Sequence, residues 1–183
     1  IRFGTGPRML VILPGLGDGL RTVKGTALPM ALMYRIFSKD FTVYAFSRKT
    51  DLPHGYTTHA MARDVKTAMD LLGIEKAHIF GVSMGGMIAQ YLAVYHPDLV
   101  NKLVLAVTLS KNNDTVVKVV NSWIEMTQQR DYKSLVKDMA QKMYSDAYVK
   151  RYKLFMPLLT ILQKPKNVQR FITLAKSCLT CDI

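Results

Sequence analysis

Acidic side chains are scarce in this sequence. Thirteen Asp and Glu stand against 25 Lys and Arg, for a formal net charge of +12. Such a balance raises the question of a nucleic acid or an anionic surface. The cations are dispersed, however, and no finger or RNA-binding signature accompanies them. A solvated basic surface is therefore the reading, and no nucleic-acid partner is expected. Long apolar runs are also missing. None approaches the roughly 20 residues of a membrane span, so stable membrane insertion is not expected, and no signal peptide is read ahead of the first apolar run. Cysteine is limited to Cys178 and Cys181. A redox C-x-x-C would accompany a βαβ unit, whereas this one follows the helix-like "FITLAKSC", where residues three apart share a face. Two free thiols in a reducing, cytoplasmic compartment are expected.

The 183 residues suffice for one good core. Their apolar residues alternate between two kinds of segment. The run at 9–13 (MLVIL) reads as a strand buried on both faces, and those at 41–46 (FTVYAF), 77–81 (AHIFG) and 102–108 (KLVLAVT) as three more strands. Between them, residues 26–37 read as a helix with Pro29 near its start. Met61, Val65, Ala68, Met69 and Leu72 have helical spacing, with Gly73 as the stop. A further helix runs from Met84 to His96, before Pro97. Strands alternating with helices predict an α/β fold: a mostly parallel sheet with helices on both faces. From about Asp114 onward only amphipathic helical segments remain, with a break at Pro165. This divides the chain into a core at 1–110 and a helical cap at 111–183. Trp123, Met126, Met139, Met143, Phe155 and Leu159 are candidates for the cap's apolar lining.

The segment "IFGVSMGGMIAQ" places Ser83 where a buried strand turns into a helix. Gly81 and Gly85 flank it in G-x-S-x-G spacing, the pattern of a nucleophile elbow. A strained turn of this kind holds the hydroxyl at the strand tip. The helix that follows directs its N-terminal N–H groups towards any oxyanion formed there. Ser83 as an ordinary helix cap is the plainer alternative, but it leaves three glycines in six residues unexplained. The loop "PGLGDG" at 14–19 lacks the G-x-G-x-x-G spacing of a dinucleotide loop and the Lys of a phosphate loop.

Together "LPGLGDG", "GVSMGGMIAQYLAVYHPDLV", "NKLVLAVT" and the helical block after them resemble the α/β-hydrolase superfamily. The likeness is to its cap-bearing esterase, lactonase and carbon–carbon hydrolase branch, enol-lactonase and small-ester members in particular. The resemblance implies the α/β-hydrolase fold with a cap after the fourth strand, Ser83 as nucleophile, and an oxyanion hole built from the backbone N–H groups of Leu16 and Met84. Two departures stand out. Pro14-Gly15 replaces the family's His-Gly, and "SRKTDLPHG" replaces an acid followed by Arg-Gly-x-Gly, so that only Arg48 matches.

In this fold the triad acid and histidine follow the serine. His54, His59 and His78 precede Ser83, and His96 lies one helix away, about 18 Å at 1.5 Å per residue. Asp114 is a minority candidate for the acid. The expectation is that the last core strands, carrying the acid and the histidine, are absent from this chain, which alone would be inactive. The resemblance then implies hydrolysis of a small ester, lactone or thioester through an acyl-enzyme, with no metal or organic cofactor. A carbon–carbon bond hydrolase and a non-catalytic ligand-binding protein on the same scaffold are the alternatives. The partner is a small acyl substrate, and a homo-oligomer is compatible with the sequence.

Overall fold

The computed structural model describes residues 1–183 apart from 153, 155, 156, 159, 160, 162 and 163. Five strands form one sheet: β1 (Arg2–Phe3), β2 (Arg8–Leu13), β3 (Phe41–Ala45), β4 (Ala77–Val82) and β5 (Val100–Ala106). Their order is β1-β3-β2-β4-β5. β1 runs antiparallel to β3, and the remaining pairs are parallel. β2, β3, β4 and β5 match the four expected strands. β1 is an addition, because two residues carry no periodicity to read.

Helices α1 (Ala27–Met33), α2 (Thr58–Leu71) and α3 (Met84–Tyr95) make the crossovers. The helix expected over 26–37 is shorter than its pattern, ending at Met33 and giving way to a 3-10 turn, Arg35–Phe37. On one face of the sheet, α2 and α3 bury Met61, Met69, Ile88 and Leu92 against Val11, Leu13 and Ile79. α4 (Asp114–Gln128), α5 (Tyr132–Met143) and α7 (Val168–Cys178) join the same core through Ile124, Leu135, Phe171 and Leu174, while α6 (Asp146–Tyr152) buries no residue. α1 covers the other face, where Leu10, Ile12, Val23, Val43 and Ala45 form a smaller cluster.

The strand order determines where a site can form. From β2 the chain moves outward to β3, then returns to place β4 on the opposite side of β2. Loops leaving the carboxyl ends of β2 and β4 therefore diverge, and such a reversal point is where open α/β sheets bind ligands. Leu13 pairs with Gly81 in register. Two residues further along each strand lie Gly15 and Ser83.

Candidate functional site

Ser83 has φ 53° and ψ −121°, a conformation that side chains rarely adopt, and caps α3 without using its hydroxyl. Strain of this kind persists only where the surroundings over-determine it. Here the restraints can be named. Ser83 N–H donates to the Ala106 carbonyl at 2.9 Å, and the Ser83 carbonyl accepts from Thr108 Oγ1 at 2.8 Å and Gly86 N–H at 2.8 Å. The flanking glycines make the turn sterically feasible. A Cβ on Gly81 would stand 2.6 Å from the Gly85 carbonyl oxygen, and one on Gly85 only 1.8 Å from that of Leu13. The elbow geometry read from "GVSMG" is the geometry of the chain.

Gly15 of the β2 loop faces the serine, with its Cβ position 3.6 Å from Ser83 Oγ. Leu16 opens a 3-10 turn, Leu16–Gly19, and Met84 opens α3. Each N–H is thus in a first turn, where backbone donors have no acceptor within the helix. Ser83 and Leu16 line one open cavity of about 410 Å³, while the Met84 side chain is fully buried. The cavity wall is mostly apolar, formed by Met87, Val107 and Leu109 near the strand ends and by Val116, Val119, Val120 and Trp123 of α4. Val107 too has a positive φ, 47°, uncommon for a β-branched residue, and is widely exposed.

The helices after β5 therefore lie at the Ser83 end of the sheet. Of the expected lining residues, Trp123 faces the cavity. Met126 and Met139 pack into the core, Met143 is exposed, and Phe155 and Leu159 fall outside the described residues. Among the described residues, Lys142 is the one charged side chain in the wall. It pairs with Asp138, which also accepts from Trp123 Nε1 at 2.7 Å. Burial opposes ionisation of Asp138, but these two partners prevail and hold its pKa below the usual carboxylate range.

None of the four histidines lines this cavity. His54 is exposed, His59 stacks on Tyr91 and Tyr95, His78 meets Asn101, and His96 caps the far end of α3. Asp114 is exposed in the first turn of α4, next to Thr115 in the wall. Cys178 closes the inner side, its thiol pushed up to about 12 by burial although the Arg48 charge opposes this. It ends α7, and Cys181 lies beyond the helix, so the two do not share a helical face. Both are free. Among the described residues no group of three or more His, Cys, Asp or Glu is placed to hold a metal, and no helix is long and apolar enough to cross a membrane.

Sequence reasoning missed a buried ionic cluster behind the β2 loop. Asp18 accepts from Ser47 Oγ at 2.5 Å, from Arg48 N–H at 3.0 Å and from Arg170 Nη2 at 2.9 Å. Arg170 also donates to the carbonyls of Asp18, Arg48 (3.2 Å) and Lys49 (3.3 Å). Arg48 donates to the carbonyls of Pro14 and Phe46. The available signal was Arg170 itself, an arginine in line with Leu174 and Cys178 on the apolar stripe of α7.

Comparison with known proteins bears on the fold. An uncharacterized protein of Mycobacterium tuberculosis is 31% identical over 103 residues, covering 56% of this chain and 29% of its own length. The chain thus spans under a third of that relative. Two crystal structures superpose over 100% of this chain, each with a TM-score of 0.79. One is MGS-M2, an alpha/beta hydrolase enzyme from a deep-sea metagenome (22% identity, 68% of that chain); the other is the enol-lactonase of Burkholderia xenovorans (19%, 70%). The alpha/beta hydrolase fold family profile matches residues 8–175. This chain belongs to the alpha/beta hydrolase fold family.

Proposed function

We propose that Ser83 is the nucleophile of a carboxylic-ester hydrolase. The observation that carries this reading is the positive-φ elbow, which holds Ser83 against Gly15 at one end of an apolar cavity. Ser83 Oγ attacks the carbonyl carbon of a small ester, lactone or thioester. The Leu16 and Met84 N–H groups, on either side of the developing oxyanion, stabilise it, an effect worth about 3 kcal/mol per donor in comparable sites. The alcohol or thiol takes up the proton that left Ser83 and departs (in a lactone the ring opens and the hydroxyl stays on the acyl chain), and water releases the acid from the acyl-enzyme. A histidine outside this chain takes the serine proton, oriented by an acid that also lies outside it, with Asp114 the lesser candidate. Residues 111–183 act as the cap that closes the acyl pocket over the core at 1–110. No cofactor enters this scheme. We place the protein in the cytoplasm, which its two free cysteines support.

One observation favours a second reading. With none of the four histidines at Ser83, the cavity can hold an apolar ligand without turning it over. A fluorophosphonate probe separates the two. Covalent labelling that maps to Ser83 and disappears in Ser83→Ala supports the hydrolase. Reversible binding to Trp123's cavity with no labelling of the full-length protein supports the binding protein.

A further inference from the structure

The cluster around Asp18 has an unusual charge balance. Arg48, Arg170 and Asp18 are 6%, 7% and 3% exposed, so two guanidiniums and one carboxylate lie away from water, and of the two guanidiniums Arg170 is the one paired with Asp18. Burial without full compensation is costly, and one partner is still missing: Arg48 Nε has no hydrogen-bond acceptor among the described residues. Asp18 is the one carboxylate among them whose charge acts on Arg48. A fold that needed only to join its loops would do so at less cost with apolar side chains. The excess positive charge has a definite location. Arg48 Nη2 holds the Pro14 carbonyl, Pro14 is joined to Gly15, and the Cβ position of Gly15 lies 3.6 Å from Ser83 Oγ.

The fork of Arg48 spans two strand ends. Nη1 donates to Phe46 O at the end of β3, and Nη2 to Pro14 O at the end of β2. Gripping the Pro14 carbonyl restrains the Pro14–Gly15 peptide, one peptide before the one that carries the Leu16 N–H at the cavity wall. Asp18, held from Ser47, Arg48 and Arg170, fixes the other end of the same turn.

We propose that Arg48 is a positioning residue for the oxyanion loop: through the Pro14 carbonyl it aims the Leu16 N–H, and its partly uncompensated charge favours an anion at Ser83. This rests on the Ser83 reading above. Arg170 is the counterpart on α7 that keeps the turn closed.

The test compares Arg48→Met with Arg48→Lys, which keeps the charge and one donor for Pro14. The first readout is the second-order rate of fluorophosphonate labelling at Ser83. Arg48→Met is expected to label at least tenfold more slowly than the parent and Arg48→Lys within about threefold of it. Binding of a neutral ligand such as hexanol, followed by the fluorescence of the lone Trp123, stays within about twofold in both, because it uses no oxyanion donor. Asn112→Ala, which loses bonds to the Cys178 and Cys181 carbonyls, is a destabilised control expected to label normally. Labelling of Arg48→Met at the parent rate, or a drop matched by the control, overturns the proposal.

Amide hydrogen exchange at Gly15–Gly19 reads loop positioning without Ser83 chemistry. It should accelerate at least tenfold in Arg48→Met and leave α3 unchanged; unaltered exchange overturns the proposal even if no protein labels. A parent that fails to label, with exchange behaving as expected, defeats the Ser83 reading alone. If Arg48→Met does not fold, Ser47→Ala, which removes one anchor of Asp18, carries the same comparison at about threefold.

Discussion

The two faces of the sheet are built unequally. Beneath α2 and α3 the core is continuous, from Val11 and Ile79 through Ile88 and Leu92 to Leu135 and Phe171. On the opposite face α1 buries no residue of its own, and Leu28, Leu32 and Met33 of α1 and Ile36 of the turn after it are between 54% and 77% exposed. Val104 of β5, level with Phe80 on that side, is 53% exposed. The elbow, the β2 loop and the ionic cluster all belong to the first face. Strain at Ser83 and buried charge at Asp18 are sustained there because tight packing surrounds them. The α1 face carries no such strain and presents an apolar patch of the kind that marks contact surfaces.

This contrast can be tested by perturbations of decreasing size. Asp18→Ala leaves the buried Arg170 guanidinium without its carboxylate and is expected to cost about 3–5 kcal/mol in urea unfolding. A loss below about 1 kcal/mol would mean that the densely packed face does not depend on the cluster. Ile88→Ala, at a fully buried site on α3, should cost about 2–5 kcal/mol, whereas Leu32→Ala on α1 should stay within about 0.5 kcal/mol. Equal losses would erase the difference between the faces. Ser83→Gly should move stability the other way, raising it by about 1 kcal/mol by releasing a strained φ, while abolishing labelling by the probe. No gain would show that the elbow is unstrained.

The smallest effect expected is alkaline. Burial raises the thiols of Cys178 and Cys181 to about 12 and about 11, above the roughly 8.5 of an unfolded chain. Because the folded state retains those protons longer, the associated stability is intact below about pH 8.5 and is lost as pH rises towards 11 and 12. Urea midpoints should therefore fall faster between pH 9 and 11 in the parent than in a Cys178→Ala, Cys181→Ala double variant. Parallel curves would show that the thiols do not contribute.

Much of this architecture was legible because buried parallel strands read as apolar runs, and because glycines on both sides of a serine at a strand end mark a turn too tight for larger neighbours. Positions 9–13 and 77–81 required nothing beyond that logic. Other features depend on what a segment faces, which periodicity does not report. The apolar stripe of α5 marks Met139 as inward but does not say whether inward means cavity or core. Arg170 falls on a stripe where an arginine has no evident role until Asp18, 152 residues away, is brought beside it. The 26–37 pattern ran through Tyr34 without a break, while the backbone tightens there into a 3-10 turn.

That separation also bears on how the molecule is made. Synthesis delivers β2 and its loop first, then the elbow, and only much later the arginine that closes the turn from the far side. Until residue 170 has left the ribosome, Asp18 lacks its ionic partner on α7 and the loop carrying the Leu16 N–H is held from one side only. Pairing of Leu13 with Gly81 is itself a long-range parallel contact, slow to form because loop closure comes before its reward. The nascent chain thus carries its serine well before it carries the finished turn beside it. Closure of that turn is a late event in the history of each molecule, timed by the arrival of the Arg170 side chain.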